Sequence, residues 1–510
     1  MEDRRRILVI AGSDSSGGAG LEGDQKVIAA HGCYAMTATT ALTAQNTQTV
    51  VDVLHTHPQF VRKQIDACID DIGVDVVKMG MLASADTIGV VAEALEHHGY
   101  PLTVVDPVMV ATSGAQLLPT DAVRVLREKL LPITTILTPN IPEAKLLLKN
   151  AGNGQPDPET LDDLIDIAKA LHALGPKWVL LKGGHLPLTK ERRVAKEASD
   201  WQFIVNVLAG DEVILIESQY QSSRNTHGTG CSLASAIASN IALGYKIPDA
   251  VRKACRYVEA GIRLSIDRGR GSGPINHFHS TYTLPFSPGH FVEYLVDQAA
   301  DVWRTHTEHE FIARIADGSL PVEMFKYYLT QDYLFLIQFA RANALVSYKA
   351  TAMPEISAGA KLILHIEREI SLHVHYCKSF GLSREDIESQ RESQACLAYT
   401  RYVLDIGNRE DWFALKVALV PCLIGYGMIA RRLFDDPKTV RGDQNQYWEW
   451  IENYVADDYM AAVASGRDEL EKYAVLQSPS RIAALVKIFT EATRLETGFW
   501  DMGYRGQTKD

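Results

Sequence analysis

No stretch of this 510-residue chain reads as a continuous apolar run of the ~18 residues that a bilayer-spanning helix requires, so no membrane partner is expected. Basic residues are not in excess: 51 Lys and Arg stand against 63 Asp and Glu, a net charge of −12, and neither half carries a dense cationic stripe. Without such a stripe the counterions of a nucleic acid or an anionic lipid surface are not displaced, and small-molecule chemistry fits better. The seven cysteines are an odd number with no paired CxxC spacing, which argues against a disulfide framework and a structural zinc site and for a reducing compartment. Nor is a leader read: Arg4, Arg5 and Arg6 pass at once into Ile7-Leu8-Val9-Ile10, too short for the apolar part of a signal peptide. A first strand and a cytoplasmic location are expected instead. There is no repeat of fixed period and no low-complexity tract.

What is present is 46% apolar and 22% charged residues, the balance of a folded globular protein. The chain is too long for one hydrophobic core, so at least two domains are expected. Up to about Ile275, short β-branched runs (ILVI, VVKMG, LTVVDPV, TTILTPN, WVLLKGG) alternate with helix-length segments, and each run ends in a loop rich in Gly, Pro or Asn. That rhythm predicts βαβ units on a mostly parallel sheet covered on both faces, with ligands at the carboxyl ends of the strands. After His279 comes a Pro/Gly/Ser segment, and from Phe291 to Trp500 apolar residues recur three and four apart with no alternating strand. The expectation is an α/β domain over residues 1–280, a linker over 281–290 and an all-α bundle over 291–510.

The first strand delivers Ala11-Gly12-Ser13-Asp14-Ser15-Ser16-Gly17-Gly18-Ala19-Gly20, which allows close backbone approach to a ligand but lacks the Lys-Ser/Thr of a Walker A loop. Downstream, Asn225-Thr226-His227-Gly228-Thr229-Gly230-Cys231 opens a helix of small apolar residues. Backbone N–H groups of Thr226, Gly228, Thr229 and Gly230 at a helix N-terminus make an anion hole for a transferring phosphoryl group. Cys231 at its end can act as base toward a substrate hydroxyl if the local potential lowers its pKa. The plainer reading is a buried Cys that opens an ordinary helix.

Taken together, AGSDSSGGAG, TALTAQNTQ, VKMGML, VVDPVM, LTPNIPEA, LLKGGH, NTHGTGC and GSGPINHFH resemble, in order, the hydroxymethylpyrimidine/phosphomethylpyrimidine kinase branch of the ribokinase-like fold. The resemblance implies ATP and Mg²⁺ as cofactors and two successive phosphorylations of a hydroxymethyl pyrimidine. It implies that Asp24 and Gln45 hold the aminopyrimidine edge, that Met81 and Val108 flank the ring, and that Cys231 replaces the Asp that ribokinases use as base. Asp106 and Glu143 would order the metal and Lys182 the ATP phosphates. The plainer readings are a helix N-cap for Asp106, a solvated helix for Glu143 and a surface position for Lys182. Ser15 stands where the family commonly has Pro, Gly23 and Gln25 flank Asp24, and Ser232 stands where Thr is usual.

In the second half, Cys422 and Tyr426 lie four apart and share one helix face, while Asp332 and Glu496 are single carboxylates inside apolar helices. HEFIARIADGSLP, FKYYLTQDYLFL, FARA, AYT, ALVPC, IENY and LETGFWDMGY resemble, in order, the thiaminase II (TenA) family, whose fold is a helical bundle. This implies that Cys422 is the nucleophile that adds to a pyrimidine ring and Glu496 the proton donor. Asp332 would hold the ring's amino and nitrogen edge, and Tyr399, Tyr426 and Tyr454 would stack on it or bond to it. Substrates would be thiamine or its aminomethylpyrimidine fragment. Phe335 departs from a Tyr that many members carry. His365, Glu369 and His373 fall at i, i+4 and i+8, read as a polar packing seam or a second layer around the site rather than a metal site. The alternatives are a pyridoxine-type kinase, disfavoured by Gln45 and Cys231, and a non-catalytic helical module, disfavoured by Cys422 with Glu496. A homo-oligomer is expected, since both families commonly assemble.

Overall fold

The computed structural model describes residues 4–109, 118–184 and 186–506; His185 of the LLKGGH motif lies outside them. The chain forms two compact units, Met1–Thr281 and Tyr282–Asp510.

The first unit runs β1 (Arg6–Ala11), α1 (Gly20–Ala30), β2 (Tyr34–Thr39), β3 (Ala41–Gln45), β4 (Val50–His55), α2 (Pro58–Asp71), β5 (Val76–Met79), α3 (Ala85–His97) and β6 (Leu102–Val105). It continues with α4 (Thr120–Val125), β7 (Ile136–Leu137), α5 (Ile141–Asn150), α6 (Leu161–His172), β8 (Trp178–Leu181), β9 (Phe203–Ala209), β10 (Val213–Gln219), α7 (Thr229–Ala242) and α8 (Ile247–Arg263). Among the described residues the main sheet has eight strands in the order β10-β9-β8-β7-β6-β5-β1-β2. Strands β1, β2 and β5 to β8 are parallel, and β9 and β10 join antiparallel at one edge.

The period of two along β1 decides the layering. Ile7, Val9 and Ala11 point to one core with α1, α7 and α8, while Leu8 and Ile10 point to another with α2 to α6. Both faces are therefore covered, and the runs ILVI, VVKMG, LTVVDPV, TTILTPN and WVLLKGG are the central strands β1, β5, β6, β7 and β8. β3 and β4 leave the main sheet as a separate antiparallel hairpin whose register shifts between Ala44 and Gln45. The shift bends the strand and turns Gln45 away from the regular ladder.

The second unit is all-helical among the described residues. It begins with α9 (Phe291–Gln298), α10 (Ala300–Thr307), α11 (Glu310–Ala316), α12 (Val322–Lys349), α13 (Met353–Ser379) and α14 (Arg384–Glu388). α15 (Gln394–Arg409), α16 (Trp412–Asp435), α17 (Trp448–Val455), α18 (Asp457–Ala474) and α19 (Pro479–Arg505) complete it. One expectation needs correction here: α16 is long and apolar enough to cross a membrane, although no such run was read in the sequence. Its apolar surface is instead spent inside the bundle, where Leu415, Leu419 and Tyr426 join one core and Val417, Val420 and Ile424 another. Pro421 within α16 removes one donor from the ladder beside Cys422.

Candidate active sites

In the first unit the glycine-rich loop after β1 is organised by Asp14, a residue to which the sequence reading gave no role. Its Oδ1 accepts from the Ser16 N–H (2.9 Å) and Oγ (2.7 Å), and its Oδ2 accepts from the N–H groups of Gly18 (3.2 Å) and Ala19 (2.8 Å). His227 Nε2, 213 residues away, lies 2.7 Å from the same Oδ2. Burial works against the charge, but His227, Ser16 and the backbone donors hold the Asp14 carboxyl well below the usual carboxylate range. The two loops also meet as backbone. Gly228 is left-handed (φ 79°), and a Cβ there would lie 1.9 Å from the Gly18 carbonyl oxygen. Asp14→Ala is expected to lower the stability of this unit by about 2–4 kcal/mol, read as an earlier first transition in urea, because several buried donors lose their acceptor.

α7 starts at this junction with no side chain capping its N-terminus; in its first turn, Thr229-Gly230-Cys231, the Thr229 N–H donates to the Thr226 carbonyl (3.3 Å). The Thr229 hydroxyl is turned inward and donates to the Thr226 carbonyl (3.0 Å). Cys231 is half-buried. Burial pushes its thiol up to about 11, with the Lys78 ammonium opposing that push.

Asp106, at the end of β6, accepts from Lys182 Nζ at 2.6 Å, and among the described residues it caps no helix. Lys182 is not a surface lysine, since its side chain is 14% exposed, and a Cβ at Gly230 would sit 3.2 Å from its Nζ. Glu143 is buried rather than solvated. It closes a capping box with Asn140 at the start of α5, and its other oxygen faces the Met109 N–H at 3.4 Å. Gln45 and Met81 are half-buried, as is Val108. The Ser15 hydroxyl donates to the Gln45 carbonyl (2.8 Å) and accepts from the Gln45 N–H (2.7 Å), two bonds that Pro at this position could not make. Met81 lies against Gly12, where a Cβ would meet its Cε at 2.5 Å.

Asp24 corrects the sequence reading. It is wholly buried, with Oδ2 on Lys78 Nζ (2.7 Å) and Oδ1 accepting from Ser235 Oγ (2.7 Å). Both oxygens are occupied behind the site, so Asp24 offers no edge to a ring.

In the second unit, α12, α13, α15, α16, α17 and α19 bring Asp332, Glu369, Tyr399, Cys422, Tyr426, Tyr454 and Glu496 into one mutually interacting cluster. Asp332 and Glu496 are 5% and 2% exposed, and among the described residues Glu496 Oε2 has no hydrogen-bond partner. Burial pushes Asp332 up to about 7, Glu369 up to about 7 with Asp332 adding to it, and Glu496 up to about 8 against the pull of the Tyr399 and Tyr426 hydroxyls. The same burial, reinforced by Glu496, Asp332 and Glu369, pushes the Cys422 thiol well above its ordinary range. Tyr426 lies 5.0 Å from the rings of both Tyr454 and Trp500, and Phe335 stacks on Tyr399 (5.3 Å, 13°). His373 Nε2 sits on the Leu329 carbonyl (2.9 Å) and its Nδ1 is 3.7 Å from Asp332. Glu369 and His373 thus both border Asp332. Among the described residues no cluster of three or more His, Cys, Asp or Glu is arranged to hold a metal ion.

The profile of the phosphomethylpyrimidine kinase family matches residues 14–276, and that of the TENA/THI-4/PQQC family matches residues 296–506. The chain belongs to the phosphomethylpyrimidine kinase family, joined to a TENA/THI-4/PQQC domain. A Schizosaccharomyces pombe protein assigned to the hydroxymethylpyrimidine/phosphomethylpyrimidine kinases is 42% identical over 500 residues, 98% of this chain and 90% of its own. The Saccharomyces cerevisiae hydroxymethylpyrimidine/phosphomethylpyrimidine kinase THI20 is 34% identical over 536 aligned positions, 97% of this chain and 94% of its own. The solved phosphomethylpyrimidine kinase of Clostridium difficile is 38% identical over 50% of this chain and 98% of its own, with a TM-score of 0.42.

Within the kinase unit, then, the structure gathers Cys231, Gly228, Thr229, Gly230, Asp106, Lys182 and Glu143 about the first turn of α7, with Met81 beside Gly12 of the first loop. It adds Asp14, His227 and Lys78, which the sequence reading did not single out. Within the TENA/THI-4/PQQC unit it adds Glu369 to the acids and thiol already named.

Proposed function

We propose that the chain carries two pyrimidine-directed active sites serving thiamine biosynthesis and salvage. The kinase unit transfers the γ-phosphoryl group of ATP to 4-amino-5-hydroxymethyl-2-methylpyrimidine and then to its monophosphate. The helical unit hydrolyses thiamine or aminomethylpyrimidine to the hydroxymethyl compound.

The observation that carries the kinase reading is the thiol at the first turn of α7, between the interlocked loops. The substrate hydroxyl gives its proton to Cys231, its oxygen attacks the γ-phosphorus, and ADP leaves with the bond to the β-phosphate oxygen. The backbone N–H groups of Gly228 and Gly230 serve the charge that develops on the phosphoryl oxygens. Asp106 and Glu143 fit magnesium: both are hard oxygen donors, and Glu143 is pushed up to about 7 by burial, with Lys182 opposing and Asp106 adding to it. Magnesium held there would shield the nucleotide's phosphates, and Lys182 is placed to neutralise what remains.

In the helical unit three crowded carboxyls and a half-buried thiol are poised for a cation. A thiazolium or ammonium group entering beside them favours their ionised forms, so the substrate itself promotes the Cys422 thiolate. The sulfur adds to the ring as Glu496 protonates it, the amine or thiazole is expelled, and water then releases the hydroxymethyl product and the thiol. Glu496 acts in its protonated form and its pKa is about 8. Because the Cys422 thiol of the free enzyme ionises only well above its ordinary range, kcat/KM for hydrolysis is expected to rise with pH up to about 8 and then to level off as Glu496 loses its proton. A pH series on aminomethylpyrimidine with ammonia detection checks this, and activity that keeps rising above that range contradicts the assignment.

For the kinase, ATP, Mg²⁺ and hydroxymethylpyrimidine are expected to yield the monophosphate and then the diphosphate by mass spectrometry, and Cys231→Ala is expected to yield neither. Full turnover by Cys231→Ala would remove the thiol from the mechanism.

A further inference from the structure

β5 is buried along its whole length, yet its third residue is a lysine. Lys78 is 0% exposed, its ammonium lies 2.7 Å from Asp24 Oδ2, and Asp24 is itself 0% exposed. Replacing a buried ion pair with apolar residues of similar volume is often neutral or stabilising, so this pair is weak evidence for a purely structural role. Its position points elsewhere. Ser235, which donates to the other oxygen of Asp24, lies four residues after Cys231 on α7, one turn along the same helix face. A Cβ at Gly80, two residues beyond Lys78, would sit 3.2 Å from Nζ, so the ammonium has folded forward along the strand towards its carboxyl end, where the loops meet. The charged groups whose fields reach Cys231 are Lys78 from β5, Asp24 from α1, Asp106 from the end of β6 and Lys182 beyond β8. The Gly20 backbone N–H, at the first residue of α1, also points at the sulfur.

We propose that Lys78 is a positioning residue of the kinase that acts through Cys231: its buried ammonium is the fixed charge that makes the Cys231 sulfur able to exist as a thiolate. The inference rests on the reading of Cys231 as the base. Lys78 exchanges no proton. The thiolate takes the substrate's hydroxyl proton as the new O–P bond forms and the bond to ADP breaks, and the thiol later returns that proton to solvent. Asp24 tempers the field and keeps the ammonium from standing unpaired in the core. A cation beside a thiol favours the ionised form, and so does a helix N-terminus, whereas a carboxylate disfavours it. The two members of the pair therefore act on Cys231 with opposite signs.

The test is the rate at which iodoacetamide alkylates Cys231 in the full-length protein, followed by peptide mass spectrometry across a neutral to alkaline pH series. Asp24→Asn is expected to speed alkylation at a given pH. Lys78→Met is expected to slow it by about 10- to 10³-fold, the range for removing a close opposite charge. Because Lys78→Met strands a buried carboxylate and can unfold the unit, the double variant Lys78→Met/Asp24→Asn is compared with Asp24→Asn alone, against which it is expected to alkylate more slowly by the same range. Kinase turnover is measured on the same samples. Slowed alkylation with slowed turnover supports the proposal. Slowed alkylation with unchanged turnover upholds the Lys78 effect and sinks Cys231 as base. A folded double variant that alkylates as fast as Asp24→Asn overturns the proposal, as does slowing by Asp24→Asn.

Discussion

Gly228→Ala is expected to reduce phosphoryl transfer by about 10²-fold or more while the helical unit keeps its hydrolytic rate. The residue sits at φ 79° as the N-cap of α7, and a Cβ there would lie 1.9 Å from the Gly18 carbonyl oxygen and 2.8 Å from its carbon. The left-handed conformation alone costs a non-glycine residue about 1–2 kcal/mol. The larger effect is the clash, because backbone atoms have no rotamer to escape into and the two loops must part. Parting them moves the anion hole relative to Cys231, and a displacement of about 1 Å is enough to cost about 10² in rate. Gly32→Ala is the control. It is also left-handed (φ 76°) but meets nothing within 4 Å, so it is expected to lose a little stability and no kinase activity. Steady-state rates for both reactions on the two variants decide the point. Equal loss in both would show that the strain, not the loop contact, is responsible.

Cys422→Ala is expected to abolish hydrolysis of aminomethylpyrimidine, by about 10³-fold or more, and to leave phosphorylation of hydroxymethylpyrimidine unchanged. Removing a covalent nucleophile closes the route, and what remains is water attacking a ring that Glu496 can still protonate. The stability change is expected to be small by comparison, since Cys422 is half-buried. Glu496→Gln separates chemistry from packing: it keeps the shape, removes the proton and is expected to lose most of the rate. A bundle that is only a binding or assembly module would show neither effect.

Much of this was legible in the chain. The parallel core strands announced themselves because each is apolar on both faces and ends in a turn-forming loop, and the bundle because its aromatics recur at helical spacing. The hairpin β3–β4 and the antiparallel edge β9–β10 were harder to read, since their half-exposed residues give weak alternation. Residues on motifs, such as Cys231, Asp106, Cys422 and Glu496, could be named, but their partnerships could not. Asp14 and His227 are joined across 213 positions, and no local pattern links them. Lys78 was hidden inside VVKMG, where one lysine in an apolar run reads as an edge rather than as a buried charge. Asp24 was misjudged for the same reason: sequence shows a carboxylate but not that Lys78 and Ser235 have taken both its oxygens. The Glu369 and His373 stripe showed only that they share a face. The structure shows that this face borders Asp332.

The most direct test of the two-site account supplies the intact protein with aminomethylpyrimidine, ATP and Mg²⁺ together and follows products by mass spectrometry. Aminomethylpyrimidine has no hydroxyl for the kinase to use, so a phosphate ester can form only after the helical unit has replaced the amine. The account predicts ammonia and hydroxymethylpyrimidine phosphates from the intact chain, free hydroxymethylpyrimidine from Cys231→Ala and no product from Cys422→Ala. Ready phosphorylation of added hydroxymethylpyrimidine with no ammonia and no ester from the aminomethyl compound would contradict it, leaving a kinase whose second unit does no chemistry on this ring.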